Sequence, residues 1–203
     1  MRLPWFGSRS ARAALGIAAF AAVTLAPTTA DAQTTMTVAP SGRGITEVVL
    51  TPTEGAEGAP AIVRIDYGQP HLRGRQLHTG DLVPYDEPWR LGANAATTLT
   101  TDVDLIIGGA TVPQGTHVLR AVPSRTAWTL LVEKDPGQSP TGPGQGDTPA
   151  EVIARIELGH TTLQTPLESF TMWLIPSSEL GPAHGELRFA WGTDMLSVGW
   201  TTK

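Results

Sequence analysis

The sequence predicts an all-β protein: a single-domain antiparallel β-sandwich with a long ordered loop excursion at about residues 68–96. Three observations carry this. Beyond residue 60, apolar and polar residues alternate with period two, and turn residues separate the alternating segments at short intervals, as in sandwiches and barrels. No 3.6-residue apolar stripe occurs outside the first 32 residues. The alternation is interrupted once at length, by Tyr67–Thr98, which carries two Tyr, one Trp, three Arg, two His, one Asn and four Gly. A connection this long and this rich in functional groups inside a compact domain is either a binding loop or a structural plug.

The elements follow in order. Residues 1–32 are expected to be a cleavable export signal. Arg2, Arg9 and Arg12 form a basic start, Ala13–Ala26 is uncharged and apolar, and Ala30-Asp31-Ala32 supplies the small-x-small site before Gln33. The apolar run is about 14 residues, shorter than the roughly 20 that span a bilayer. Residues 33–59 are expected to be a flexible lead-in with a first edge strand. The β domain is expected over 60–203. Within it, Ala61, Val63, Ile65 and Tyr67 share one face, with Arg64 and Asp66 on the other. The segment 97–107 alternates throughout, and Gly108-Gly109 ends it in a hairpin turn. Pro113-Gln114-Gly115 makes another turn before strands at 116–122 and 126–134. Further strands are expected at 151–158, 167–175, 186–191 and 196–200. A short helical turn is expected near Glu87–Asn94, with Pro88 in the first helical position. Residues 136–149 hold eight Gly or Pro in 14 positions and are expected to be a surface loop.

Cleavage before Gln33 would remove Arg2, Arg9, Arg12 and Asp31. That would leave 11 of 14 basic and 18 of 19 acidic residues, a net charge of −7. Such a balance argues against nucleic acid or an anionic membrane as partner. The expected location is periplasmic or secreted, with no stable membrane insertion after cleavage. There is no Cys, so neither disulfides nor thiol chemistry is available. No cofactor is implied.

Tyr67-Gly68, Pro70, Gly74-Arg75, Leu82-Val83-Pro84-Tyr85, Trp89-Arg90, Gly92-Ala93-Asn94 and Thr97-Thr98 form a pattern. It continues through Ile107-Gly108-Gly109, Pro113-x-Gly115-Thr116 and Trp128-Thr129. With it the chain resembles the bacterial exported family catalogued as domain of unknown function number 2911. The resemblance implies export and a β fold, and no established activity. Gln69 stands where that family tends to have Arg, Ala95 where it tends to have an acidic residue, and His117 where it tends to have Tyr.

The candidate ligand-binding residues are Tyr67, Arg75, Tyr85, Trp89, Arg90 and Asn94. Arg presents a rigid fork to carboxylates or hydroxyls, aromatic faces stack on sugar C–H groups, and amides bond hydroxyls. The competing reading is structural. Arg73, Arg75 and Arg90 would bond carbonyls of the loop, Trp89 would plug one end of the fold, and Asn94 would cap a turn. His71 and His78 with Asp66 and Asp81 fit no metal-ligand spacing, so no metal is expected. His117, His160 and His184 stand isolated in the sequence. No Gly-x-Ser-x-Gly elbow is present, and no catalytic residue is assigned. The expected function is a non-catalytic module that binds a small polar ligand, a glycan or an envelope protein through residues 67–98. The alternative is a hydrolase with its catalytic residues in that segment.

Overall fold

The structure is a computed structural model that describes residues 35–78, 82–137 and 150–203. The expected export signal, Asp81 and nearly all of the Gly/Pro loop lie outside the described residues. Residues 37–203 form one compact unit. It contains nine strands and, among the described residues, no helix. These are β1 (Arg43–Leu50), β2 (Ala61–Gly68), β3 (Thr97–Thr101), β4 (Leu105–Ile107), β5 (Ala110–Val112), β6 (Gly115–Pro123), β7 (Trp128–Lys134), β8 (Val152–Pro176) and β9 (His184–Thr202). They make one antiparallel sheet in the order β1-β2-β3-β6-β7-β8-β9-β4-β5.

The sheet curls until its first strands approach β8, without closing into a ladder. Alternate N–H groups along this edge of β8 find other acceptors. Phe170 N–H donates to the Pro70 carbonyl (2.9 Å), Met172 N–H to the Tyr67 hydroxyl (3.2 Å), and Leu174 N–H to Thr46 Oγ1 (3.0 Å). Gln69 Nε2 donates back to the Phe170 carbonyl (3.1 Å). Two side-chain oxygens and one loop carbonyl thus replace a neighbouring strand, which matters because an unpaired buried N–H is costly. The edge strand expected in the lead-in is β1.

Two parts of the sheet depart from the sequence reading. The segment 97–107 is two strands in distant parts of the sheet. β3 pairs with β2 and β6, whereas β4 pairs with β5 and β9. The corner between them is held by Thr101 Oγ1 donating to the Val103 carbonyl (2.7 Å) and by Asp102 Oδ2 accepting Ile62 N–H (2.9 Å). Conversely, the segments expected at 151–158 and 167–175 are one 25-residue strand, β8, and those at 186–191 and 196–200 are one 19-residue strand, β9. The β8–β9 ladder absorbs the interruptions as irregularities between Thr162 and Leu167 and between Leu167 and Thr171.

The enclosed face holds one apolar core drawn from β1 to β9 and from the excursion. Its densest part is aromatic. Trp89 stacks on Trp191 (centroids 5.9 Å apart, planes 17° apart) and meets Phe170 (5.2 Å) and Trp128 (6.5 Å) edge to face. Trp89 comes from the excursion, so the loop supplies part of the core. Its backbone is extended there, not helical as expected. Trp89 and Ala121 exchange both N–H···O bonds, at 2.7 and 2.9 Å, and dock the excursion onto β6.

Candidate functional site

The excursion lies across one end of the curled sheet, between β2 and β3. Its backbone is forced into unusual shapes. The four non-glycine residues with positive φ among the described residues, Arg73, Asp86, Leu91 and Asn94, all lie in it. Gly68 begins it with a close approach: a Cβ there would lie 1.8 Å from the Ala93 carbonyl oxygen. Strain of this kind persists only where the surroundings over-determine it.

The W-R-x-G-A-N block is consumed in holding this shape. Trp89 is buried in the aromatic core. Arg90 Nη1 donates to the Asn94 carbonyl (2.8 Å), and Asn94 Nδ2 donates to the Ser41 carbonyl (3.1 Å), which pins the lead-in. Asn94 has φ 62°, a conformation Asn tolerates better than most residues. Tyr67 is buried and its hydroxyl serves the β8 edge. The other arginines of the segment also bond carbonyls: Arg73 Nη2 that of Pro40 (3.0 Å), Arg75 Nε that of Leu72 (2.9 Å) and Arg75 Nη2 that of His71 (2.8 Å). Arg73, Arg75 and Arg90 bond carbonyls, as the structural reading expects, whereas the Asn94 side chain, expected to cap a turn, reaches instead to the Ser41 carbonyl of the lead-in. Of the sequence candidates, Arg75 lines a cleft and Tyr85 supports its wall.

That cleft, of about 380 Å³, opens between residues 72–78 of the excursion and the bulged region where β8 meets β9. Leu72, Leu77 and Pro166 give it apolar walls, and Arg75, Gln76, His78, Thr193 and Asp194 bring polar groups. Gly192 contributes no side chain to the lining and has φ 58°. Just beneath lie Trp89, Trp128, Phe170 and Trp191, which with Asp194 enclose a residual void of about 10 Å³.

Asp194 organises this end of the molecule. Its Oδ2 accepts from His78 Nε2 (2.8 Å) and its Oδ1 from His160 Nε2 on β8 (2.7 Å). His78 Nδ1 donates to the Val83 carbonyl (2.9 Å). Both His78 nitrogens thus face oxygen atoms, and the ring is held from two sides. The ring also stacks on Tyr85 (4.4 Å, planes 19° apart), and the Arg125 guanidinium lies over the Tyr85 ring (4.9 Å). A polar string therefore runs Arg125–Tyr85–His78–Asp194–His160 across the end of the sheet.

Of the metal candidates named from the sequence, the three among the described residues do not meet. Asp66 pairs with Arg43, His71 Nδ1 bonds Ser169 Oγ (2.8 Å), and His78 bonds Asp194. Among the described residues no group of three or more His, Cys, Asp or Glu is arranged to hold a metal ion. The His71–Ser169 contact is a poor nucleophile pair. His71 Nε2 is buried without a partner, so the ring is best accommodated with its hydrogen on Nδ1, donated to Ser169. His160, Arg125, Thr193 and Asp194 were not among the sequence candidates. Their link to the excursion is spatial: Asp194 lies 34 residues from His160 and 116 from His78.

The family comparison agrees with the resemblance read from the W-R-x-G-A-N pattern. The family described as protein of unknown function, DUF2911, matches residues 53–199. The chain belongs to this family. In this DUF2911 member the match takes in both walls of the cleft, the excursion and β9. No curated protein and no solved structure matches the chain.

Proposed function

We propose that this DUF2911 protein is a binding module that takes a small polar ligand in the cleft between residues 72–78 and Gly192–Asp194. One observation carries the reading. The cleft has the size of a small-molecule site, and a carboxylate fixed from both sides by His78 and His160 lies in its wall. Preorganisation of this kind lowers the ordering cost of binding, because the protein group is held before the ligand arrives. The reading keeps the excursion as the recognition element and moves the contact surface to its first half.

Hydrolysis in the same place is the second reading, and one feature favours it. His160 is held by Asp194 through Nε2, and its Nδ1 has no hydrogen-bond partner among the described residues. A carboxylate-oriented imidazole with one open nitrogen is the arrangement of a general base.

The test is a screen of small polar molecules and esters against the full chain, read by thermal shift and by amide NMR. A ligand of this cleft raises the melting temperature progressively once its concentration exceeds its Kd and perturbs Gln76, Leu77, Gly192 and Thr193. Hits that perturb only the opposite end of the sheet, near Gly108-Gly109, would refute the assignment. Turnover of an ester, lost in His160→Gln, would move the conclusion to the second reading.

A further inference from the structure

We infer that the ligand of this cleft is an uncharged polyol of about the size of a single sugar ring. The inference rests on the binding reading above and names its chemistry.

Apart from His78, whose Nε2 is paired with Asp194 (2.8 Å), the charged side chains lining the cleft among the described residues are Arg75 and Asp194, one of each sign. Arg75 is tethered by Nε and Nη2 to two carbonyls, and its Nη1 has no partner among the described residues. Asp194 takes one N–H on each oxygen. A carboxylate offers about four lone-pair sites, so roughly two stay open. An anionic ligand seated here meets Asp194, and a cationic one meets Arg75. Each such encounter is a like-charge contact, the usual means of rejecting a wrong partner. A hydroxyl both donates and accepts. Neighbouring hydroxyls on one ring can therefore donate to Asp194 and accept from Arg75 at once, with no charge of their own.

The rest of the lining suits the same ligand. Gln76 and Thr193 are exposed and make no side-chain hydrogen bond among the described residues. Their amide and hydroxyl can each donate and accept. Leu72, Leu77 and Pro166 offer apolar surface to the C–H face of a ring, and Gly192 leaves room for close approach. Tyr85 is not a stacking platform, since it does not line the cleft and its ring already packs against His78 and Arg125. Specificity in this cleft comes from hydroxyl geometry, not from an aromatic face.

The experiment is an NMR titration of the 15N-labelled full chain with four probes that share a ring: glucose and galactose (neutral), glucuronate (anionic) and glucosamine (cationic). At least one neutral sugar should shift the amides of Gln76, Leu77, Gly192 and Thr193, and both charged probes should bind about tenfold more weakly or less. Thr193→Val keeps the side chain's shape and removes its hydroxyl, and should weaken the neutral sugar about two- to tenfold, the range of one net hydrogen bond. Tighter binding of glucuronate or glucosamine at those amides would overturn the polyol class and leave the cleft as the binding site. No shift from any of the four at tens of millimolar would also overturn it. The broader screen then separates the two failures: another ligand class on the same amides preserves the cleft reading, and none ends both.

Discussion

The two halves of the excursion use similar residues for opposite purposes. In the second half, Trp89, Arg90 and Asn94 turn inward or onto neighbouring carbonyls, and the chain docks on β6 through the Trp89–Ala121 bridge. In the first half, Arg75 is tethered to two carbonyls, Gln76 has no side-chain partner among the described residues, and both line an open cleft. The conspicuous W-R-x-G-A-N block is the brace, and the inconspicuous residues before it face the cleft. A long loop has many backbone groups to satisfy. Its showiest polar side chains are therefore drawn into satisfying them, and on the proposed binding reading recognition falls to groups left over.

The comparison yields graded expectations. Trp89→Ala should have the largest effect, a loss of about 3–5 kcal/mol, because it empties the centre of the aromatic cluster. A denaturant midpoint near wild type would break the claim that the second half is a brace. Gly68→Ala should cost about 3 kcal/mol, at the upper end of overpacking, since the atom in the way is the Ala93 backbone oxygen at 1.8 Å and not a flexible side chain. Asp194→Ala should cost about 2 kcal/mol by removing the shared acceptor of His78 and His160. It would also loosen the first half, which limited proteolysis near residue 78 would report. Asn94→Ala should cost about 1 kcal/mol, and Asn94→Gly less, because φ 62° suits glycine while the bond to Ser41 is lost in both. Equal losses would mean that the side-chain bond alone matters. Gln76→Ala should stay within about 0.5 kcal/mol of wild type, as exposed changes do. A larger loss would show that the first half braces the fold as well.

Much of the fold was legible, for a physical reason. Period-two alternation marks any strand with one buried face, so Val63, Ile65 and Tyr67, or Leu187, Phe189 and Trp191, declare themselves. Alternation does not mark where a strand changes partners. Leu99 through Ile107 keep one rhythm although the chain turns a corner at Asp102 and enters a distant part of the sheet. The irregularities at Thr162–Thr171 had the opposite effect, splitting one long strand into two expected ones. In the site, Arg75 and Tyr85 were visible because the excursion is rich in such residues. Asp194 and His160 were not, since each sits in an otherwise ordinary strand and gains meaning only when the curled sheet brings β8, β9 and the excursion together. The carbonyl bond of Arg90 was foreseeable from the number of carbonyls a long loop leaves open, whereas the reach of Asn94 to Ser41 was not, since the two lie 53 residues apart.

Native-state amide hydrogen exchange of the full chain tests this division most directly. Trp89 N–H is bonded to Ala121 on a central strand and should exchange only with opening of the β6–β7 region, as slowly as the core strands. Gln76 N–H has no backbone acceptor among the described residues and should exchange orders of magnitude faster. A brace beside a binding surface gives that contrast. Equal, fast exchange at both amides would mean the excursion moves as one loose loop, and equal, slow exchange would mean it is one plug. Either would contradict the account.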